Sequence, residues 1–488
     1  MKKINYTLIL MLLFLSASCY EDKGNYDYYP INEVGISGIE KEYDIERWDT
    51  LNIAVDLNNS LKDNKAAQYA WYLNGNKISD TKDLKYEVSE KAQKYAARFE
   101  VTVPEDDGVR FFFDFELNVH SQYSEGLMLL SQCGDHPEIS FYNTLSNPKK
   151  KTVRDMFLLE NKKSLTGKPL RIEQPDQWSY GGVLFVHTSD GIYQLDPVLC
   201  KLMKTYKNDA FSEKGKTFNM VFSTFEGSEP DFGASIGTDG QIYPKLARQD
   251  RFVPGSLKPI NIEKSSEQMD YQLSPLALSS RDATLGYDEK SGHFLYFYSS
   301  WDIPSYDENQ YDIVRVSKYQ IGLPWVFWGR TMDDSKFASL FFDKVTKQAK
   351  LIPSHSRTGY TKGKDSIVVL NNHYLDADSK FALNSGSNLL YYTNGGNKIY
   401  TINISDPDRN FVSIEFPVAL PADCKITMLK VSYNNLDLLV GVDSGRNEKY
   451  NGDVYRINGT DGTIIETYSR FGGTPVDVVE KAVVEFEL

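Results

Sequence analysis

One short pattern recurs through the second part of this chain and leaves few folds open. Asp190-Gly191-Ile192-Tyr193 has a counterpart in Asp239-Gly240-Gln241-Ile242-Tyr243. Asn394-Gly395-Gly396-Asn397-Lys398-Ile399-Tyr400 and Asn451-Gly452-Asp453-Val454-Tyr455 follow the same plan. A second piece runs from Tyr287 through Asp288, Gly292 and Phe294 to Tyr296, and is paralleled by Phe342 through Asp343, Lys347 and Ala349 to Leu351. Each reads as a strand end, a tight turn and a new strand. Self-similar units of roughly 40–50 residues mark a β-propeller, in which each unit is a small sheet that buries its faces only against its neighbours. At roughly 50 residues per blade, residues 122–488 hold about seven blades, with six or eight also open. A long double sandwich is the competing fold, but it leaves the recurring hairpins unexplained. The 32 Tyr and 26 Phe suit antiparallel β structure. Helix signals are nearly absent; Ser89-Glu90-Lys91-Ala92 offers one turn.

Residues 31–121 read as a separate, small β-sandwich. Leu51, Ile53, Val55 and Leu57 alternate as in a half-buried strand, and Tyr95, Ala97, Phe99 and Val101 do so again. Tyr69-Ala70-Trp71-Tyr72-Leu73 runs into Asn74-Gly75, a two-residue hairpin turn. Trp71 sits where a sandwich of the immunoglobulin type places a core aromatic. Phe111 to Val119 makes the closing strand.

The amino terminus reads as an export signal. Lys2-Lys3, the apolar run Leu8 to Leu15 and Ser16-Ala17-Ser18 have the charged, apolar and small-residue parts of a signal peptide. Cys19 at the cut point makes it a lipoprotein signal, so residues 1–18 are removed and the thiol of Cys19 carries the lipid. Two or more acyl chains anchor a protein stably. Residues 19–30 form a tether. Glu21 and Asp22 directly behind the lipid resemble the signal that sends lipoproteins of the Bacteroidota to the outer face of the outer membrane.

Acids outnumber bases 67 to 54, which argues against a nucleic-acid partner. With Cys19 lipidated, Cys133, Cys200 and Cys424 remain. An odd number permits at most one disulfide, and three buried thiols are expected. Gly233-Ala234-Ser235-Ile236-Gly237 fits the nucleophile-elbow pattern, but the turn Thr238-Asp239-Gly240 stands where a helix must follow, so the match reads as chance. The six histidines show no metal-ligand spacing. Asp376-Ala377-Asp378 and Asp406-Pro407-Asp408 lack the rest of a calcium loop and read as solvated turns. No metal, cofactor or catalytic residue is expected on these grounds.

The candidate binding segment is aromatic. Trp301, Asp302, Tyr306, Asp307, Asn309 and Tyr311 mix rings with polar edges and show no strand alternation. A ring stacks on the apolar face of a sugar while Asp and Asn bind its hydroxyls, so this segment suits a glycan at a propeller rim. Trp325 and Trp328 alternate with other large apolar residues and are expected in a buried strand. Trp178 with Tyr180 could face either way.

Trp71-Tyr72-Leu73-Asn74-Gly75 and the ending Phe113, Phe115, Leu117, Val119 resemble the PKD-like domain. The tether from Cys19 to Tyr28, the strand Gly126 to Ser131 and the ending Gly472 to Lys481 are similar to those of PKD-like family lipoproteins of Bacteroidota. The resemblance implies an all-β chain, a PKD-like sandwich followed by a propeller, in the setting of Sus-like outer-membrane importers. The expected function is a non-catalytic binding or accessory role for a glycan or peptide nutrient, on the cell surface and next to an importer. A propeller hydrolase or lyase with acid or His residues in its channel is the alternative.

Overall fold

A computed structural model of the chain describes residues 34–59, 67–103, 109–123, 125–144, 152–174, 183–211, 217–226, 229–245, 252, 260–261, 270–279, 283–298, 312–315, 320–333, 335–356 and 367–481. These fall into two units, divided between His120 and Ser121.

In the first unit, a five-stranded sheet runs in the order Glu42–Glu46, Val109–His120, Gln93–Val103, Gln68–Leu73 and Asn76–Ser79. Its neighbours pair antiparallel, except that Glu42–Glu46 lies parallel to Val109–His120. Two short pairs, Thr50–Ile53 with Leu84–Glu87 and Val34–Ser37 with Asp56–Asn59, complete the unit. Trp71 is fully buried, with its ring centroid 4.5 Å from Phe99 and 6.0 Å from Phe115. Its indole Nε1–H donates to the Thr81 carbonyl at 2.9 Å, so the polar edge of the ring is satisfied inside the core. Asn74 and Gly75 both take positive φ, 44° and 79°, as a hairpin turn matched to strand twist requires.

Two expectations for this unit need correction. The run Leu51 to Leu57 is not one strand. It breaks at Ala54-Val55 into Thr50–Ile53 and Asp56–Asn59, which join different sheets. The Val55 amide leaves the ladder and donates to Asp83 Oδ1 at 2.9 Å. Burial still alternates through the break, because Leu51, Ile53 and Val55 all enter the core. Ser89-Glu90-Lys91-Ala92 forms no helical turn. Its carbonyls are used sideways: Ser89 O accepts from Arg47 Nε and Lys91 O from Tyr95 Oη.

In the second unit the described residues form seven sheets of three to five strands. The second sheet shows the plan: Pro169–Glu173, Leu184–Thr188, Gly191–Leu195 and Leu202–Tyr206, each antiparallel to the next. The third to seventh sheets follow it from the starting strands Met220–Glu226, Leu273–Ser279, Trp325–Arg330, Phe381–Asn384 and Lys425–Val431, the fourth adding the two-residue strand Ile260–Asn261, parallel to Asp312–Arg315, at its far edge. The first sheet departs from the plan. Its strands Gly126–Cys133, His136–Asn143 and Thr152–Val153 are completed by the last strand of the described chain, Thr474–Lys481, which pairs antiparallel with Gly126–Cys133. The starting strand of each sheet packs beside that of the next; Thr474–Lys481 packs beside both Lys425–Val431 and Pro169–Glu173.

The cores lie between the sheets, which explains the continuous apolar runs. Met128 and Leu130 point into a cluster shared with the second sheet, where Ile172, Leu184 and Val186 meet them. Leu127 and Leu129 point the other way, onto Met428, Leu439, Val454, Phe471 and Tyr468 of the seventh sheet and its flank. Both faces of Gly126–Cys133 are therefore buried, and its sequence cannot alternate apolar with polar. Leu438-Leu439-Val440 divides its side chains in the same way.

Both recurring pieces of sequence occupy one junction, the hairpin between the second and third strands of a sheet. Asp190-Gly191, Asp239-Gly240, Asn394-Gly395 and Asn451-Gly452 serve the second, third, sixth and seventh sheets. Asp288 and Asp343 serve the fourth and fifth, each carboxylate accepting from amides two and three residues on. Cys133-Gly134-Asp135-His136 is the same junction in the first sheet. Glycine recurs here for close approach. A Cβ on Gly191 would lie 2.6 Å from the Tyr206 carbonyl of the fourth strand, and one on Gly452 would lie 1.9 Å from Gly473 O. Two short helices, Met156–Asn161 and Asn208–Phe211, were not legible in the sequence pattern.

Candidate functional site

Cys19, Glu21 and Asp22 lie outside the described residues, as do Trp301, Asp302, Tyr306, Asp307, Asn309 and Tyr311, and also Trp178 and Tyr180. Trp325 and Trp328 are on the starting strand of the fifth sheet. Trp325 is buried; Trp328 is half-buried and its Nε1–H donates to Ala277 O at 3.1 Å, so both serve packing between sheets. Ser235 of the Gly-x-Ser-x-Gly match lies inside a strand, fully buried, and donates to Ser223 Oγ at 3.0 Å. No elbow is present there. Asp376 and Asp378 pair with Lys347 and Lys425 at 3.0 and 2.6 Å. Asp406 caps its own turn by accepting from the Asp408 amide at 2.9 Å. Cys133, Cys200 and Cys424 are buried free thiols.

A Ser–His pair was missed by reading along the chain. Ser339 Oγ and His355 Nε2 are 2.7 Å apart on adjacent strands of the fifth sheet. The Ser356 carbonyl, 2.9 Å from Nδ1, can only accept, so Nδ1 carries the proton and Nε2 accepts from the serine. Burial lowers the His355 pKa to about 4. Ser339 has no exposed surface and Phe294 and Phe337 flank the imidazole, so the pair is part of the core and reaches no substrate.

The starting strands of the sixth, seventh, first and second sheets border a cleft of about 600 Å³. Lys380, Phe381, Thr427, Asp443, Thr474 and Asp477 are among its lining residues. Its carboxylates are engaged. Asp477 accepts from Lys430 Nζ at 2.9 Å and from the Ile172 amide at 3.0 Å. Asp443 accepts from Asn451 Nδ2 at 2.8 Å and from Thr474 Oγ1 at 3.2 Å. Burial lowers the Lys380 pKa. Nearby on the second sheet, Glu173 lies 2.9 Å from Arg171 Nε and 3.0 Å from His187 Nε2. Burial alone would raise its pKa, but Arg171, His187 and the Phe225 amide hold it down at about 2. Glu173 is thus ionised at neutral pH and poorly suited to donate a proton.

A second cleft, of about 510 Å³, opens beside the first-sheet hairpin. Gln132 to His136 form one wall; Asn447, Glu448, Lys449, Asn451 and Thr474 form the other. His136 and Glu138 stand two apart on one strand and so share a face. His136 Nδ1 donates to Asp135 Oδ1 at 3.1 Å, and Nε2 lies 3.0 Å from Glu138 Oε1. Lys449 Nζ approaches the same oxygen at 2.8 Å. Asp155, just before Met156–Asn161, brings a second carboxylate, and one donor atom from each of His136, Glu138 and Asp155 lies within 4.8 Å of the others. The Asp135 hydrogen bond raises the His136 pKa; burial and then Glu138 raise that of Asp155. The signal for this group was His136-Pro137-Glu138 behind a tight turn, a strand pair with one face; the contribution of Asp155 had no local signal.

Residues 19–169 match the PKD-like family. No curated protein matches the chain. Among solved structures, it is similar to a quinonprotein alcohol dehydrogenase-like protein from Bacteroides thetaiotaomicron VPI-5482, at 14% identity and a TM-score of 0.50, over 90% of this chain and 96% of that one. Similarity to the β-propeller domain of Myceliophteria thermophila Cps50 (Swd1) is at 9% identity and a TM-score of 0.39, over 62% and 87%. Kluyveromyces lactis Hsv2 is similar at 11% identity and a TM-score of 0.34, over 60% and 75%. Identities this low bear on fold alone. The chain is all-β and propeller-like, and its segment from Cys19 to Pro169 carries the match to the PKD-like family.

Proposed function

We propose that this chain is a lipid-anchored protein of the outer cell surface that serves a Sus-like nutrient importer as a binding or accessory component. The observation that carries this reading is the start of the PKD-like match at Cys19, the residue that the export signal offers for lipidation. In this reading the seven sheets are the blades of a closed propeller, with Thr474–Lys481 completing the first blade. The ligand is a glycan or peptide. The polar cleft among the starting strands is suited to hydrogen-bond it, because paired carboxylates and the half-buried Lys380 hold fixed positions. Trp301, Asp302, Tyr306, Asp307, Asn309 and Tyr311 supply a second, stacking contact by their chemistry. Acidic composition and firm anchoring favour an outward-facing role over adhesion to anionic lipid.

The test has two arms. Intact cells are labelled with an alkyne-bearing palmitate and treated with protease: label on the chain, its loss in Cys19→Ala, and digestion from outside are the expected results. The chain purified from residue 20 is then titrated with glycans, peptides and the cognate importer. Failure to bind all three sinks the binding role. Release of product from a glycan library would instead turn the reading toward a channel hydrolase or lyase.

A further inference from the structure

We infer that His136, Glu138 and Asp155 are ligands of a divalent transition-metal ion of the zinc class, held at the first-sheet hairpin beside the 510 Å³ cleft. The inference is independent of the glycan- or peptide-binding role.

The carrying observation is Glu138. Its side chain has no exposed surface, and Oε2 has no hydrogen-bond partner among the described residues. A buried carboxylate oxygen left without a donor is costly and rare in native proteins. A cation placed between Glu138, His136 and Asp155 removes that cost. The three donors already lie within 4.8 Å of one another. Ligands at ~2.1 Å from a shared ion stand roughly 3–4 Å apart, so rotation of side chains suffices to close the shell.

The imidazole is also oriented for the task. Asp135 Oδ1 accepts from His136 Nδ1, which turns Nε2 toward Glu138. A carboxylate behind a histidine is the usual second partner of a metal-bound imidazole, fixing its tautomer and raising its basicity. One imidazole with two carboxylates suits Zn²⁺ or a neighbouring first-row ion; Ca²⁺ and Mg²⁺ prefer all-oxygen shells. Three protein ligands leave a position for water or a ligand oxygen, and His136, alone of the three, also lines the cleft.

Lys449 is the resident competitor. Its ammonium lies 2.8 Å from Glu138 Oε1, on a side chain that is 54% exposed. It is a cation on a flexible stem, able to withdraw into solvent when a metal enters. Two forms follow, one closed by lysine and one closed by metal.

The test uses the untagged chain from residue 20, stripped with a chelator and titrated with Zn²⁺ alone against a chromogenic chelator, then with Co²⁺ for its visible absorption. One equivalent is expected to bind at micromolar or tighter affinity. His136→Ala, whose side chain is partly exposed and whose loss threatens folding little, is expected to weaken binding at least 100-fold. Asp135→Asn weakens it by less than about tenfold, because Asp135 is fully exposed and its hold on the imidazole competes with water. Lys449→Gln tightens it about tenfold by removing the competing charge. The inference is overturned if wild type and Lys449→Gln both bind no stoichiometric metal, or if His136→Ala binds as wild type does.

Discussion

Lowering the pH should destabilise the second unit through one buried imidazole. His355 is neutral in the core, its pKa lowered by burial to about 4 from the ordinary 6.5. The unfolded chain therefore binds a proton that the folded chain refuses whenever the pH lies between those values, and stability falls as pH falls. The loss begins near pH 6.5 and levels off below about pH 4. From these two values the destabilisation is roughly 2 kcal/mol at pH 5 and roughly 3 kcal/mol at pH 4, with almost none at pH 7. Burial is what lowers the pKa, and the Ser356 carbonyl, which accepts from Nδ1, opposes it. The assay is urea unfolding followed by tryptophan fluorescence at several pH values, for wild type and His355→Gln. The glutamine variant is less stable throughout, but it lacks the titration, so the difference between the two chains isolates it. Wild type is expected to lose about 3 kcal/mol more than the variant between pH 7 and pH 4. Parallel pH profiles would refute the reasoning, because they would mean that the imidazole either protonates freely in place or is not enclosed.

Three further outcomes follow from packing and charge. Phe471→Ala empties a fully buried ring position between the seventh and first sheets, beside Tyr142 and Tyr468, and should cost about 3–5 kcal/mol in urea unfolding; a cost under about 1 kcal/mol would show that the two sheets do not rely on this contact. Gly452→Ala forces a Cβ to within 1.9 Å of Gly473 O and should destabilise by well over about 1 kcal/mol, read as a drop in Tm, whereas an unchanged Tm would contradict the close approach. Glu173→Gln removes the buried carboxylate that faces Arg171, whose side chain is 34% exposed and so partly screened by water, and should cost about 1–3 kcal/mol at pH 7. The Glu173 contribution is present above about pH 4.5 and fades as pH falls toward 2, so the gap between wild type and variant should narrow in acid.

Local chemistry made much of the fold legible in the residues alone. Asn74-Gly75 demanded a turn with two positive φ values, and Trp71 between alternating strands demanded a sandwich core. The Asp-Gly and Asn-Gly hairpins repeated because a turn and a close backbone approach are decided within a few residues. The run at Gly126 to Ser131 was legible as a strand, whereas its burial on both faces came only with the sheets packed on either side of it. Local signals failed where the decision was not local. Leu51 to Leu57 alternated perfectly, yet a side chain 28 residues away, Asp83, took the Val55 amide and broke the strand.

Three features were set only by tertiary structure. Thr474–Lys481 joins the first sheet, a pairing across more than three hundred residues that no window of sequence contains. Ser339 meets His355 through the register of two strands, and packing against Phe294 makes that pair inert. Glu138 meets Asp155 from the segment after its own strand and Lys449 from more than three hundred residues on, because these segments converge beside one hairpin. Sequence determines period, turn and burial, because these depend on neighbours along the backbone. Which charges face each other depends on how sheets stack, and that is fixed only when the cores between them are packed.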